Sequence, residues 1–194
     1  MLSIELQGTK RTTASNAETK QSRANGNVPC VLYGGGENVH FSVNRIAFEK
    51  VYISPEVYVV ELNIEGKKHK AIVKDIQFHP TTDAPIHVDF LEITNDKTFT
   101  IKLPVKLTGV AEGVKQGGKL QTKMRKLKVS GLLKDMPATL DVEISKLTIG
   151  QSIKVDSLQF KGLTILDPKS AVICSVNLTR SAARAMQEAA NAKK

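Results

Sequence analysis

The stretch from Lys74 to Glu92, Lys-Asp-Ile-Gln-Phe-His-Pro-Thr-Thr-Asp-Ala-Pro-Ile-His-Val-Asp-Phe-Leu-Glu, leaves little choice of local structure. Proline has no N–H for a ladder, so Pro80 ends a first strand. Thr81, Thr82 and Asp83 supply turn chemistry, and Pro85 restarts an extended chain. The second strand then alternates. Ile86, Val88 and the pair Phe90 and Leu91 are apolar, while His87, Asp89 and Glu92 are polar. A period of two puts His87 and Asp89 on one face, Val88 and Phe90 on the other. With Gln77 and His79 on the neighbouring strand, the polar face is a candidate recognition surface. A merely solvated face carries the same pattern, and alternation alone favours that reading.

The chain before this stretch is strand-rich. Leu2, Ile4 and Leu6 alternate with polar residues in a first strand ending near Gly8. Residues 10–27 are small and polar. Ser15 with Glu18 three residues on has capping-box spacing, predicting a helix over 16–24 that Gly26 stops. That helix has no apolar stripe, so it is marginal unless something holds it. The four cations of residues 10–27, Lys10, Arg11, Lys20 and Arg23, fit an arm against phosphate and a solvated connector equally well. Val28–Tyr33 reads as a buried strand, Gly34–Gly36 as a sharp turn, and Asn38–Val43 as a returning strand. Asn44 caps a short helix that Pro55 closes. Val57–Ile64 and Lys68–Phe78 form a hairpin around Glu65-Gly66-Lys67.

The pattern resets at Asn95-Asp96-Lys97, which predicts domains over 1–95 and 96–180. Residues 98–109 form a strand containing Pro104, hence an edge or bulged strand. A glycine-rich loop follows from Gly109 to Gly118, then a long basic strand or strand pair from Leu120 to Leu133. Short strands at Ala138–Ile144, Leu147–Val155, Leu163–Leu166 and Ala171–Leu178 predict an all-β second domain. Residues 181–194 are helix-prone but bury little, which predicts a frayed or disordered tail.

With 194 residues and 41% hydrophobic content, the chain can bury a real core. Its +9 formal charge points to a polyanionic partner. The charge is uneven: residues 1–95 carry net −1, residues 96–180 net +8. Charge alone therefore places sequence-blind nucleic-acid binding in the second half, on Lys119, Lys123, Arg125, Lys126 and Lys128. In a strand, Lys123 and Arg125 face one way and Lys126 and Lys128 the other, and lysines also guard edge strands against aggregation. Aromatics make up only 5% and Trp is absent, which disfavours a base-stacking platform. Cys30 and Cys174 lie in apolar runs and read as free buried thiols of a reducing cytosol. The start lacks a signal-peptide pattern, and no apolar run reaches membrane-spanning length.

Two chemical motifs dissolve on inspection. Gly113-Val-Lys-Gln-Gly-Gly-Lys119 matches a phosphate-binding loop up to its lysine, but Leu120 stands where Ser or Thr must hold magnesium, and no helix follows. His79, His87 and Asp89, with Asp75 nearby, make a formal metal triad, yet tight ligand spacing and a nucleophile are missing. A metal-dependent hydrolase is thus the remote alternative to a binding protein that takes no metal, cofactor or small-molecule substrate.

Larger pieces carry a resemblance. Arg23-Ala-Asn-Gly-Asn-Val-Pro-Cys-Val-Leu-Tyr-Gly34, Asp75-Ile-Gln-Phe-His-Pro and His87-Val-Asp-Phe resemble signatures of the bacterial large-subunit ribosomal protein twenty-five, or general stress protein Ctc, family. Glu112-Gly-Val-Lys-Gln-Gly-Gly118, Met136-Pro137 and Leu147-Thr-Ile-Gly-Gln-Ser-Ile are similar to the second domain of its two-domain members. The resemblance implies a mainly β, non-enzymatic, cytoplasmic, ribosome-associated protein. It implies an amino-terminal barrel of six or seven strands with short helices that binds 5S rRNA at loop E. Other large-subunit components are implied as partners, with the protein a monomer off the ribosome. The positions that match the family's RNA contacts are Arg11, Lys20, Arg23, Tyr33, Gln77, His87 and Asp89. The arm departs from the family pattern at Ser15, Asn16 and Gln21. On chemical grounds, Arg11 and Arg23 suit phosphate. Asp89 only accepts when ionised, which suits a base amino group, a ribose 2′-OH, or the orienting of Arg or His. A stress-related RNA-binding protein free of the ribosome is the nearer alternative.

Overall fold

The strand β1 (Leu2–Lys10) runs past Gly8, because Thr9 and Lys10 find ladder partners in Ser42 and Phe41 of β3 (Val39–Asn44). In this computed structural model, which describes residues 2–11, 15–94 and 97–179, six strands close into a barrel. Its order is β1, β3, β2 (Asn27–Tyr33), β6 (Pro85–Glu92), β5 (Lys67–Phe78) and β4 (Tyr58–Ile64). Parallel pairing of β1 with β4, from Leu2–Tyr58 to Gly8–Ile64, closes the ring and leaves no free edge.

Alternation decides what faces inward. Val28, Cys30 and Leu32 from β2, Phe41 and Val43 from β3, and Val88 and Phe90 from β6 fill the interior. The helix α2 (Arg45–Ile53) starts where the Asn44 side chain accepts hydrogen bonds from the N–H groups of Ile46 and Ala47. It contributes Phe48, whose ring meets Phe90 edge-on at 6.0 Å, while Phe41 meets Phe90 at 5.6 Å. Full burial of such a ring stabilises by about 1.5–3 kcal/mol. The helix α1 (Asn16–Ala24) is built differently. Ser15 caps it, accepting from Glu18 N–H at 3.3 Å, and it buries no residue.

Beyond the barrel lie β7 (Phe99–Thr108), α3 (Glu112–Lys115), β8 (Lys119–Thr122), β9 (Lys126–Gly131), β10 (Leu140–Glu143), β11 (Ser152–Lys154), β12 (Leu163–Ile165) and β13 (Val172–Asn177). They make a four-stranded sheet in the order β10, β7, β9, β12 and a three-stranded sheet in the order β11, β13, β8. Ala111, Val142, Ile144, Leu147, Cys174 and Val176 form a core there. The chain divides into two compact units. One holds the residues through Ile101 together with Gly131–Ala138, the other Lys102–Ser130 and the residues from Thr139 on. The expected tail and the Asn95–Asp96 part of the expected boundary lie outside the described residues.

Four expectations need correction. Pro104 sits in β7, an interior strand and not an edge. Val105 N–H bonds to Arg125, so the Pro104 nitrogen points the other way, toward β10, whose ladder begins only at Val105. The glycine-rich loop contains α3, a single helical turn with Gly113 buried. A side chain there would run into the backbone of Thr148 and Ile149. The basic run is the strand pair of the two options, split between two sheets, and the expected facing of its cations is what changes. Lys123 and Arg125 fall in its link, so only Lys126 and Lys128 share a strand face. His79 lies beyond the end of β5, so of the two only Gln77 is on the strand beside β6.

Candidate nucleic-acid interface

The inward commitment of Val88 and Phe90 turns His87 and Asp89 outward on β6, both only half-buried. His87 Nδ1 lies 2.9 Å from Asp89 Oδ1. An ionised carboxylate only accepts, while a neutral imidazole carries one donor and one acceptor nitrogen and the imidazolium two donors. Neighbouring strands extend this row. Gln77 is the register partner of His87, and Asp75 that of Asp89 on β5. On the other side, Val31 of β2 pairs with Asp89, and His40 of β3 with Val31. Tyr33, at the end of β2, has Leu91 as its partner. Partial burial, then the charges of Asp89 and Asp75, push the Tyr33 phenol above its ordinary value.

The cations come from the arm. Arg23 on α1 donates from Nε to the Ile86 carbonyl at 3.2 Å, which fastens the helix to β6. Arg11, just past β1, donates its backbone N–H to His40 O at 2.9 Å. Its Nη2 donates to Thr19 Oγ1, also at 2.9 Å. Polar tethers therefore hold a helix that has no apolar face to bury. Lys20 stands exposed on the same helix. Cys30, under this wall, feels Arg11 and Asp89 from opposite signs of charge, while burial pushes its thiol well up.

Gln77, His87, Asp89 and Tyr33 thus share adjoining strands, and Arg11, Lys20 and Arg23 stand on the arm tied to them. Sequence reasoning missed Thr19 and the Ile86 carbonyl as the fastenings of that arm. The signal for Thr19 was present: it follows Ser15 by one helical turn in a helix otherwise lacking packing groups. The drawn metal triad does not assemble. His79 Nδ1 lies 3.1 Å from the Thr81 hydroxyl, and among the described residues no group of three or more His, Cys, Asp or Glu could hold a metal ion.

The closed barrel keeps its interior apolar and presents its polar groups on the outer wall. Comparison with known proteins gives the kind of protein. The Ribosomal L25p family matches residues 6–90, and the ribosomal protein TL5 C-terminal domain matches residues 98–180. The large ribosomal subunit protein bL25 of Bacteroides thetaiotaomicron is 49% identical over 187 residues, covering 94% of this chain and 95% of that one. That of Porphyromonas gingivalis is 48% identical over 184 residues, covering 94% and 96%. That of Azobacteroides pseudotrichonymphae is 45% identical over 183 residues, covering 94% and 97%. The chain belongs to the ribosomal L25p family, in its two-domain form. The family is structural and non-enzymatic, so the hydrolase alternative falls.

Proposed function

We propose that this chain is a structural component of the large ribosomal subunit that holds 5S rRNA, in the loop E region, on the outer wall of its barrel. The observation that carries the reading is the His87–Asp89 pair, set in register with Gln77 and beside the arginine-bearing arm. A-form RNA offers proteins a shallow minor groove of 2′-hydroxyls and base edges, and irregular pairing widens access to bases. Asp89 and a neutral His87 ring accept from amino groups and 2′-hydroxyls. Arg11, Lys20 and Arg23 grip the flanking phosphates and set register, while Tyr33 brings a rigid ring and a hydroxyl. A carboxylate repels phosphate, so its place in this wall favours specific readout over charge neutralisation. The more basic second unit, with Lys126 and Lys128 exposed on β9, adds contacts to RNA backbone or to neighbouring subunit proteins.

The test is titration of the full chain with 5S rRNA and with a tRNA of similar size across a salt series. Wild type prefers 5S rRNA at every salt concentration. Arg23→Ala weakens binding to both RNAs and lowers the salt slope by about one ion. Equal affinity for the two RNAs would sink the reading. Co-sedimentation with large subunits in a sucrose gradient checks the ribosomal role separately.

A further inference from the structure

Thr19 sits where a polar helix meets the end of β1. Its hydroxyl has one hydrogen, and that hydrogen goes to the Ser15 carbonyl at 2.9 Å. Toward Arg11 the oxygen can therefore only accept, and a guanidinium can only donate, so the 2.9 Å contact with Nη2 has matched polarity. The Arg11 main chain is pinned as well, its N–H bonded to His40 O on β3. Arg11 is thus held at both ends, by a barrel strand and by α1. No buried side chain anchors α1, so packing does not hold the guanidinium in this direction. The relay from Ser15 O through Thr19 Oγ1 to Arg11 Nη2 does.

We propose that Thr19 is a positioning residue for RNA binding: it aims the Arg11 guanidinium before RNA arrives. This rests on the RNA-binding reading above and assigns Thr19 a role that acts through Arg11. A free arginine side chain carries large rotamer entropy, and ordering it beforehand moves that cost from binding to folding. A planar fork bonded through one Nη also has its remaining N–H directions set, which a phosphate can meet without a search. The Ser15 side chain caps this helix, accepting from Glu18 N–H, and its backbone carbonyl accepts the Thr19 hydrogen.

The experiment is a set of full-chain variants titrated with 5S rRNA: Thr19→Val, Thr19→Ser, Arg11→Ala and the double Arg11→Ala with Thr19→Val. Valine keeps the branched shape and loses the hydroxyl; serine keeps the hydroxyl. Thr19→Val weakens binding about threefold to tenfold, the size of one hydrogen bond's worth of positioning. Thr19→Ser restores affinity to within about twofold of wild type, and Thr19→Val has no further effect once Arg11 is alanine. A merely structural role for Thr19 would lower affinity equally in both backgrounds, and that result overturns the proposal. So does wild-type affinity in Thr19→Val while Arg11→Ala binds weakly, an outcome that leaves the RNA-binding reading intact. Failure of the wild type to prefer 5S rRNA overturns both.

Discussion

Asp75 and Asp89 face each other as register partners on β5 and β6, two like charges on the outer wall of the barrel. Directly opposed like charges destabilise a sheet by a few tenths to about 1 kcal/mol. The register shift between Val73 and Asp75 does not relieve the pairing; it creates it, by moving Asp75 outward and returning Ile76 to the core. Asp89 also has His87 Nδ1 within 2.9 Å.

Asp75→Asn therefore raises stability, by roughly 0.2–1 kcal/mol in urea unfolding. It removes repulsion toward RNA as well, so affinity for 5S rRNA and for tRNA rises together. An unchanged or lower unfolding midpoint would mean the two carboxylates are already compensated.

Asp89→Ala has the opposite signature. The His87–Asp89 pair is about a third exposed (28% and 37%), so its loss costs little, and the end of the Asp75–Asp89 repulsion offsets it, leaving stability within about 0.5 kcal/mol. Affinity for 5S rRNA falls by about 1–3 kcal/mol, because an acceptor and the fixed orientation of His87 go together. The salt slope stays put, since no cation is removed. A loss of affinity equal for 5S rRNA and tRNA would assign Asp89 a general role and not readout.

The inward and outward faces of β6 were legible because alternation between Ile86 and Phe90 admits one register only. The cap at Ser15 and the hairpin at Glu65-Gly66 were legible for a similar reason, since each depends on residues within one turn of chain. Barrel closure came only through the family resemblance: the β1–β4 pairing joins residues 56 apart, and a strand's own sequence does not name its neighbour. Pro104 misled because a proline forbids one hydrogen bond on one side, which an interior strand tolerates where its neighbour has not yet begun. Net charge alone points to the other half of the chain. The near-neutral first half holds the candidate readout wall, whose balance of acids and arginines cancels in a count.

The turn between β2 and β3 tests the backbone. Gly34 has φ of +107°, and a Cβ there would lie 2.9 Å from Leu91 Cδ1 and 3.2 Å from the Glu92 carbonyl. At Gly35 a Cβ would meet only the Glu92 carboxylate, a movable group engaged with His69 Nδ1 at 2.7 Å. Gly34→Ala thus costs more than Gly35→Ala: on the order of 1–3 kcal/mol for a strained backbone, against about 0–1 kcal/mol for a quarter-exposed pair broken. Thermal unfolding of the two variants gives the order directly, and equal costs would place the strain elsewhere.

Cys30 is buried among Val28, Leu32 and Val88, and desolvation pushes its thiol well above the ordinary range. An unfolded thiol ionises near about pH 8.5. Above that pH the unfolded chain gives up a proton that the folded chain keeps. The folded state then binds more protons, so stability falls as pH rises, by up to about 1.4 kcal/mol per pH unit from this one group. Below the unfolded value the thiol is neutral in both states and contributes no slope. Cys30→Ala removes the term while leaving Cys174 in place, so urea midpoints of wild type and variant should converge between about pH 8.5 and pH 10. Parallel pH profiles would mean that the thiolate is tolerated inside the barrel, and that Arg11, across the wall, reaches it more strongly than burial does.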